Sequence, residues 1–220
     1  MRKLPNQKIN KVLWVFWKKV FNNPLPAVKA LHNKETKYLK ENIKRNSIVL
    51  DVGCGTGRNM QDVLNIAREI IGIDHYKLAV KEAKKNLSKN KKTKVLLQEA
   101  AKMSFKNNSF DYVICMGNTF GNFGKNKLKI LKEMKRVTKK GGKIILGVYS
   151  EKALPIRLKQ YRKVGERFKK IAEDGTIITQ GGVITEQFSP NKIKRIFNEA
   201  RLKIKTTKLN KIGYICEATK

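Results

Sequence analysis

The sequence is poor in the residues on which metal sites and disulfide frameworks depend. It contains three cysteines, Cys54, Cys115 and Cys216, and two histidines among 220 residues. The cysteines stand far apart and form no CxxC pair, so the pattern excludes a paired-cysteine zinc site and the framework of a small secreted protein. We therefore expect no metal, reduced cysteines and a cytoplasmic location.

Long apolar runs are also missing. No stretch of 18 apolar residues occurs, although a membrane-spanning helix needs about 20. The most apolar segment, from Trp14 to Phe21, is interrupted by Lys18 and Lys19, unlike the continuous core of a signal peptide. The sequence thus predicts neither a transmembrane helix nor a signal peptide.

Acidic residues are scarce: 17 of them stand against 50 lysines and arginines, which gives a formal net charge of +33. Such an excess favours partners that carry phosphates, RNA above all. The basic residues, however, are spread over the whole chain and are mostly lysine rather than arginine. A general preference for lysine would give the same distribution, so the charge leaves an RNA partner open without predicting one.

From residue 47 onwards, apolar segments of strand length alternate with helical segments. This order predicts one α/β domain with a mainly parallel sheet and right-handed crossovers. With 40% hydrophobic residues, a chain of this length can bury a sizeable core. Strands are predicted at 47–52, 69–74, 94–97, 109–115, 143–149, 201–207 and 211–218. Helices are predicted between them at 57–67, 76–88, 125–137 and 190–200.

Residues 1–46 are predicted to form an N-terminal helical cap ahead of a domain at 47–220. An apolar helix reaches Phe21, two prolines follow at positions 24 and 26, and a second helix runs over 27–43. The favoured role is a cap that closes a pocket of the sheet domain. The alternative is that residues 11–21, where two tryptophans stand beside lysines, bind a partner or an anionic membrane surface.

Residues 150–188 depart from the simple alternation. A basic helix is predicted over 154–171, and the segments 176–180 and 183–187 flank Gly181-Gly182. Two alternating segments around a pair of glycines predict a β-hairpin with a two-residue turn. We expect this helix and hairpin to form an insertion after the fifth strand.

The most specific signal is the segment from Asp51 to Gly57, Asp-Val-Gly-Cys-Gly-Thr-Gly, which follows the first strand. Its glycines allow a sharp turn and a close approach of the backbone to a ligand. A dinucleotide fingerprint would need another glycine where Arg58 stands. Instead, an acid precedes the first glycine, which suits a ligand with a positive charge. Asp74 ends the second strand, where a carboxylate can accept hydrogen bonds from both ribose hydroxyls.

These motifs resemble those of the class I S-adenosylmethionine-dependent methyltransferases, over 47–149 and less clearly to the C-terminus. The resemblance implies a Rossmann-like sheet of seven mostly parallel strands with an antiparallel last strand, helices on both faces, and an insertion at 150–188 that covers the active site. It also implies S-adenosylmethionine as the cofactor. Glu99 stands where many members have aspartate. The cofactor-binding residues that the resemblance implies are Asp51, Gly53, Cys54, Gly55, Gly57, Asp74, His75, Glu99, Ala100 and Met116.

The candidate catalytic residues are Asn118 and Tyr149, which stand at the ends of the fourth and fifth strands. In the resembled family, the segment after strand four faces the transferred methyl group. Here it reads Gly-Asn-Thr-Phe, which is similar to some amine N-methyltransferases, and it is not the Asn/Asp-Pro-Pro-Tyr/Phe signature of enzymes that methylate base amino groups. The predicted function is methyl transfer to a small molecule, an amine in particular. Two alternatives stay open: a tRNA or rRNA methyltransferase, and a non-catalytic cofactor-binding or membrane-surface protein.

Overall fold

The structure is a computed structural model that describes residues 7–220, with side chains from residue 12 onwards. The helices are α1 (Gln7–Asn22), α2 (Pro26–Asn42), α3 (Arg58–Asp62), α4 (Lys77–Asn86), α5 (Lys127–Val137), α6 (Leu154–Lys163) and α7 (Pro190–Glu199). The strands are β1 (Ile48–Val52), β2 (Glu69–Asp74), β3 (Thr93–Leu97), β4 (Phe110–Cys115), β5 (Thr138–Tyr149), β6 (Phe168–Ile171), β7 (Ile177–Thr179), β8 (Ile184–Thr185), β9 (Ile204–Asn210) and β10 (Gly213–Thr219). Two short 3₁₀ turns, Thr119–Asn122 and Gly124–Asn126, lead from β4 into α5.

Seven of the strands form one sheet in the order β3-β2-β1-β4-β5-β10-β9. The first five strands in this order, β3, β2, β1, β4 and β5, run parallel to one another. The strand β10 pairs antiparallel with both of its neighbours, β5 and β9. The central strands are buried on both faces, so they read as continuous apolar runs. In β1, Leu50 packs into one hydrophobic core and its neighbour Val49 into the other, because successive side chains of a strand point to opposite faces. The predicted fold class is confirmed.

Several predicted boundaries were wrong around glycines. The helix predicted over 57–67 is only α3, and turns complete the connection to β2. The pair Gly141-Gly142 does not end α5 but lies inside β5, which already begins at Thr138. A Cβ on Gly142 would stand 2.8 Å from the Asp111 carbonyl oxygen. Glycine at this position therefore allows β5 to pass close to β4 rather than to cap a helix.

The insertion after β5 contains a small sheet of its own. The helix predicted to reach residue 171 ends at Lys163, and Gly165, at φ +83°, turns the chain out of the helix. Residues 168–171 instead form β6, which pairs antiparallel with β7. The strands β7 and β8 also pair antiparallel, with Ile177 opposite Thr185. Their loop is the three residues 180–182, because Thr179 still pairs with Val183, and it replaces the predicted two-residue turn.

The N-terminal helices pack on different parts of this frame. From α1, Phe16 and Val20 join a hydrophobic cluster with Tyr161 of α6 and Val183 of the hairpin loop end. From α2, Leu39 packs on one face of the main sheet. Among residues 7–220, no helix combines the length and the apolar character needed to span a bilayer.

Candidate cofactor and acceptor site

A cavity of about 490 Å³ lies at the carboxyl ends of the central strands. Four segments enclose it: the glycine loop with the end of β2, the turn after β4, the β7–β8 loop, and one face of α1. This is the edge of a parallel sheet at which ligands bind in open α/β folds. The lining residues are Leu13, Trp14, Trp17, Phe21, Gly53, Gly55, Asp74, His75, Tyr76, Thr119, Asn122, Phe123, Gly124, Lys125, Gly182, Val183 and Ile184.

The glycine loop forms one wall because its backbone adopts left-handed conformations. Gly53, Gly55 and Gly57 have φ values of +75°, +55° and +84°, which L-residues with a Cβ rarely adopt. A Cβ on Gly53 would overlap the Thr119 methyl group, whereas a Cβ on Gly55 would project towards the Trp14 ring, 4.0 Å away. Gly55 and Trp14 both line the cavity, so an added Cβ would come into van der Waals contact with the Trp14 ring and narrow the cavity at this point.

The carboxylate of Asp74 is held in place by the backbone. It accepts hydrogen bonds from the Gly55 N–H at 3.0 Å and from the Tyr76 N–H at 2.9 Å. The side chain is 7% exposed, and this burial raises its pKa, which those hydrogen bonds and His75 counteract. Each carboxylate oxygen keeps a further lone pair, so Asp74 can still accept a pair of ligand hydroxyls.

Asp51 lies below the loop and is fully buried. Neither of its carboxylate oxygens has a hydrogen-bond partner among the described residues. Burial raises its pKa to about 7, although the nearby Arg58 guanidinium lowers it. A buried carboxylate without a partner is destabilising, and a cationic ligand group nearby would relieve that. Asp51 does not itself line the cavity, so it would favour a positively charged ligand through its charge, from beneath the glycine loop.

A second buried acid lies near Arg58, and it was not predicted from the sequence. Glu35 of α2 is 1% exposed, its Oε2 has no hydrogen-bond partner, and it lies 4.0 Å from the Arg58 guanidinium. Burial raises its pKa to about 7, against the lowering effects of Arg58 and of a hydrogen bond from the Gly117 backbone. A sequence signal existed: Leu31, Glu35 and Leu39 share one face of the predicted helix, so the acid interrupts an apolar stripe.

Glu35 should make the stability of the free protein depend on pH. Its pKa lies near 7 in the folded state and near 4.5 in the unfolded chain, so the folded protein binds the proton more tightly between these values. Its contribution to stability therefore falls as pH rises from about 4.5 to 7. We expect Glu35→Gln to be more stable than wild type at pH 8, by an amount on the order of 2–3 kcal/mol, and to match it near pH 4.

Urea unfolding at the two pH values measures this difference. Glu41→Gln is the matched control, because Glu41 lies on the same helix with a side chain that is 58% exposed. Equal offsets of Glu35→Gln from wild type at both pH values would contradict the buried, proton-binding state of this carboxyl group.

The two catalytic candidates lie beside a smaller cavity. It has room for about one water molecule, at about 10 Å³, and it shares the Trp17 and Phe21 walls with the main cavity. The Asn118 side chain accepts from the Tyr149 N–H at 2.9 Å and donates to the Glu186 carbonyl oxygen at 3.0 Å. Its amide thus ties the ends of β4 and β5 to the insertion.

Tyr149 and His32 face the same small cavity. Tyr149 is 6% exposed, and burial raises the pKa of its hydroxyl above the usual range. His32 of α2 is 8% exposed, and burial and Arg58 lower its pKa to about 3. Near neutral pH the cavity therefore presents a neutral imidazole and a neutral phenol. His32 is one of the two histidines of the chain, and it was not predicted to lie here.

Apart from Asp51, the predicted cofactor residues fall into two groups, those that line the main cavity and those that do not. Gly53, Gly55, Asp74 and His75 line the main cavity, and the exposed His75 ring lies 3.8 Å from the Tyr76 ring. The others do not line it. The Cys54 thiol points at Gly72 in the core, Gly57 packs against Leu87, and Met116 is buried against Gly147. Glu99 is exposed and Ala100 half-buried. Assignment of these residues to a cofactor stays a prediction.

The sequence model of a protein family described as "Methyltransferase domain" matches residues 43–201, well over half of the chain. An uncharacterised protein of Methanocaldococcus jannaschii is 32% identical over 142 residues, which cover 64% of this chain and 63% of that protein. The match therefore spans less than two thirds of that relative's length. Demethylmenaquinone methyltransferase of Staphylococcus aureus is 29% identical over 174 residues, which cover 72% of this chain and 68% of the relative.

The fold is also found in a solved structure with ligands. The 1,6-didemethyltoxoflavin-N1-methyltransferase of Burkholderia thailandensis, with bound 1,6-didemethyltoxoflavin and S-adenosylhomocysteine, superposes with a TM-score of 0.70 at 10% identity. The superposition covers 100% of this chain and 92% of that one. At this identity the likeness concerns the fold alone.

Proposed function

The chain belongs to the S-adenosylmethionine-dependent methyltransferases, and from this premise we propose that it transfers the methyl group to a small, largely apolar ring compound. When bound, S-adenosylmethionine supplies an electrophilic methyl group on a sulfonium, whose leaving thioether needs no proton. The protein's contribution is then to bind, orient and exclude water, which is worth up to about 7–11 kcal/mol when the reacting atoms are well aligned.

The cofactor's residues are those of the glycine-loop wall. Asp74 would accept from the ribose hydroxyls, and the glycine loop gives the ligand access to the backbone. Asp51, with its raised pKa of about 7, would hold its negative charge more readily beside the cationic groups of the ligand. His75 and Tyr76 border the same wall, where flat rings can pack against an adenine.

The character of the opposite wall supports the acceptor class. It is built from Trp17 and Phe21 of α1, Phe123 after β4, and Val183 of the hairpin. Such a surface binds a flat apolar molecule through contact area. Asp74 is the one carboxylate among the lining residues, and it faces the cofactor's side. The wall therefore favours an uncharged ring over the ammonium of a small amine.

The similar proteins point the same way. The Staphylococcus aureus relative is named for demethylmenaquinone, and the Burkholderia thailandensis enzyme holds 1,6-didemethyltoxoflavin. Both names denote ring compounds. An RNA acceptor has the net charge of +33 in its favour, but Lys125 is the single lysine or arginine among the described residues that line the cavity.

Tryptophan fluorescence offers a direct test, because the chain has two tryptophans and both line the main cavity. We expect S-adenosylhomocysteine to change the emission, and a naphthoquinol added afterwards to quench it further and saturably. Trp17→Phe should lose most of the second change and keep the first, since Trp14 lies over the glycine loop. Saturation by sarcosine but not by naphthoquinol would favour the amine, and a response to short RNA alone would favour an RNA acceptor.

A further inference from the structure

The mouth of the main cavity carries an unusual share of the exposed apolar side chains. Among the residues with described side chains, six large aliphatic ones are exposed, and four belong to segments that border the mouth. The four are Val12, Val15, Leu78 and Ile184, with exposed fractions of 58%, 41%, 41% and 44%. Exposed apolar side chains that gather in one region mark interaction surfaces, whereas scattered single ones do not.

The contacts of α1 bring these side chains to one region. Lys18 of α1 forms a 3.0 Å ion pair with Glu82 of α4, one turn beyond Leu78. Trp14 lies near Tyr76, with ring centroids 6.4 Å apart, at the start of the same helix. On the other side of α1, Phe16 packs with Val183, the neighbour of Ile184. The mouth is thus bordered by α1, the first turns of α4 and the hairpin loop.

The apolar residues of α1 lie on two sides of the helix, one buried and one exposed. Its inner residues, Trp14, Phe16 and Val20, are buried, while Val12, Val15 and Lys19 point away from the protein and are exposed. They stand at positions i, i+3 and i+7, so they share one side of the helix. The inner side of α1 packs on the protein. The valines and the lysine on its outer side form a second surface, which is available to a partner.

The rim is cationic as well as apolar. Lys19, Lys77, Lys81 and Lys125 are exposed on the segments around the mouth. Glu82, the acid of α4 that follows Lys81, is already paired with Lys18. Lysines that surround exposed aliphatic side chains are the pattern of a helix that lies in the interface of an anionic bilayer. An RNA partner would be served by the lysines alone and gains nothing from the valines.

We infer that the outer face of α1, with Leu78 and Ile184, docks on an anionic lipid bilayer and turns the mouth of the cavity towards it. The lysines of the rim contact the lipid phosphates, and the aliphatic side chains enter the boundary between headgroups and acyl chains. Docking of this kind would let a lipid-soluble acceptor reach the cavity without crossing water. This route for the acceptor rests on the proposed function, whereas the docking itself does not.

The test is co-sedimentation of the full chain with vesicles. Vesicles of equal parts phosphatidylglycerol and phosphatidylcholine should bind the protein, and pure phosphatidylcholine should not. The double variant Val12→Glu/Val15→Glu should lower the partition coefficient about tenfold or more. Leu97→Glu is the matched control: Leu97 is 50% exposed but lies on β3, at the edge of the main sheet, and its variant should bind as wild type does.

A second double variant and a change of salt concentration separate apolar from purely electrostatic binding. Val12→Ser/Val15→Ser removes the aliphatic contacts without adding charge and should also weaken binding, with unchanged thermal unfolding as evidence that α1 remains packed. Raising salt from about 0.1 M to about 1 M, which shortens the screening length from ~10 Å to ~3 Å, should weaken binding only in part. Absence of binding, equal losses for Leu97→Glu, or binding that salt abolishes and the valine variants leave intact would each overturn the inference.

Two results bear on the nature of the partner and on the proposed function. If tRNA displaced the vesicles and the valine variants had no effect, the surface would bind polyanions through its lysines alone. The inference would then fail. Because vesicle binding needs neither cofactor nor acceptor, its failure leaves the proposed function standing. Failure of a naphthoquinol to bind the cavity would, conversely, leave the docking inference standing.

Discussion

Asp74→Ala should lower the affinity for S-adenosylmethionine by at least about a hundredfold. The carboxylate can accept two hydrogen bonds from ribose hydroxyls, and bonds to a charged group contribute roughly 1.5–3 kcal/mol each. It also accepts from the Gly55 and Tyr76 N–H groups at 3.0 and 2.9 Å, which holds the glycine loop against the end of β2. The substitution therefore removes both the ligand's partner and one anchor of the loop.

Isothermal titration calorimetry with S-adenosylmethionine and S-adenosylhomocysteine measures the loss. Glu99→Ala is the matched control, because Glu99 is an exposed acid that the family resemblance also assigns to the cofactor. It should change affinity far less than Asp74→Ala. Equal effects of the two substitutions would mean that the cofactor depends on both carboxylates, and unchanged affinity in Asp74→Ala would refute the site.

Gly55→Ala should have the second large effect. It should lower stability through backbone strain and, separately, lower cofactor affinity because the added methyl group takes up space in the cavity. Gly55→Ala places a Cβ on a residue at φ +55° and directs it into the cavity, with the nearest ring atoms of Trp14 4.0 Å away. The left-handed backbone costs about 1–2 kcal/mol with any L side chain. The added methyl group also occupies space next to the cofactor, so binding should fall about tenfold or more beyond that.

Gly141→Ala serves as its counterpart. Gly141 lies in β5 at φ +73°, and a Cβ there would meet no atom within 4 Å. Both variants should lose similar stability in urea unfolding, while only Gly55→Ala should lose cofactor affinity and turnover. A Gly55→Ala protein that binds the cofactor as tightly as Gly141→Ala would show that the ligand does not pass over this residue.

Much of this fold could be predicted because each signal was local. The apolar runs at 48–52 and 110–115 are strands buried on both faces, and such runs are legible without knowledge of their neighbours. The Asp51–Gly57 loop and Asp74 stand at fixed positions relative to those strands, so the family and its cofactor followed from the same short segments. Both were confirmed by the family match over residues 43–201 and by the seven-stranded sheet.

Other parts depended on contacts between distant segments. Arg157 reads as one more cation on a basic helix, yet it is fully buried and donates to the Thr185 carbonyl oxygen at 2.7 Å and to Gln187 Oε1 at 2.9 Å. Residues 168–171 were predicted to be helical from their sequence, but they form the strand β6 because they pair with β7. In the same way, only the packing of α2 on the sheet explains why His32 and Glu35 lie beside Gly117, in the turn after β4.

The roles of individual residues were the least predictable feature. Asn118 has an amide that suits a substrate, but in the structure its three hydrogen bonds go to Tyr149, Thr185 and Glu186. These partners could not be predicted from the sequence, since they belong to a strand end and an insertion 31 to 68 residues away. A single polar residue after a strand can therefore serve a substrate or the scaffold, and only the fold distinguishes the two.

On the proposed function, the cavity under α1 brings S-adenosylmethionine next to a small ring acceptor. The most direct measurement is transfer of a labelled methyl group from S-adenosylmethionine in cell extract, with wild-type protein and with Asp74→Ala, followed by separation of RNA, protein, lipid and water-soluble small molecules. We expect label in an organic-soluble, low-mass compound with wild type and none with Asp74→Ala. Label in RNA that Asp74→Ala abolishes would contradict the account and show that the charge of +33 selects the substrate.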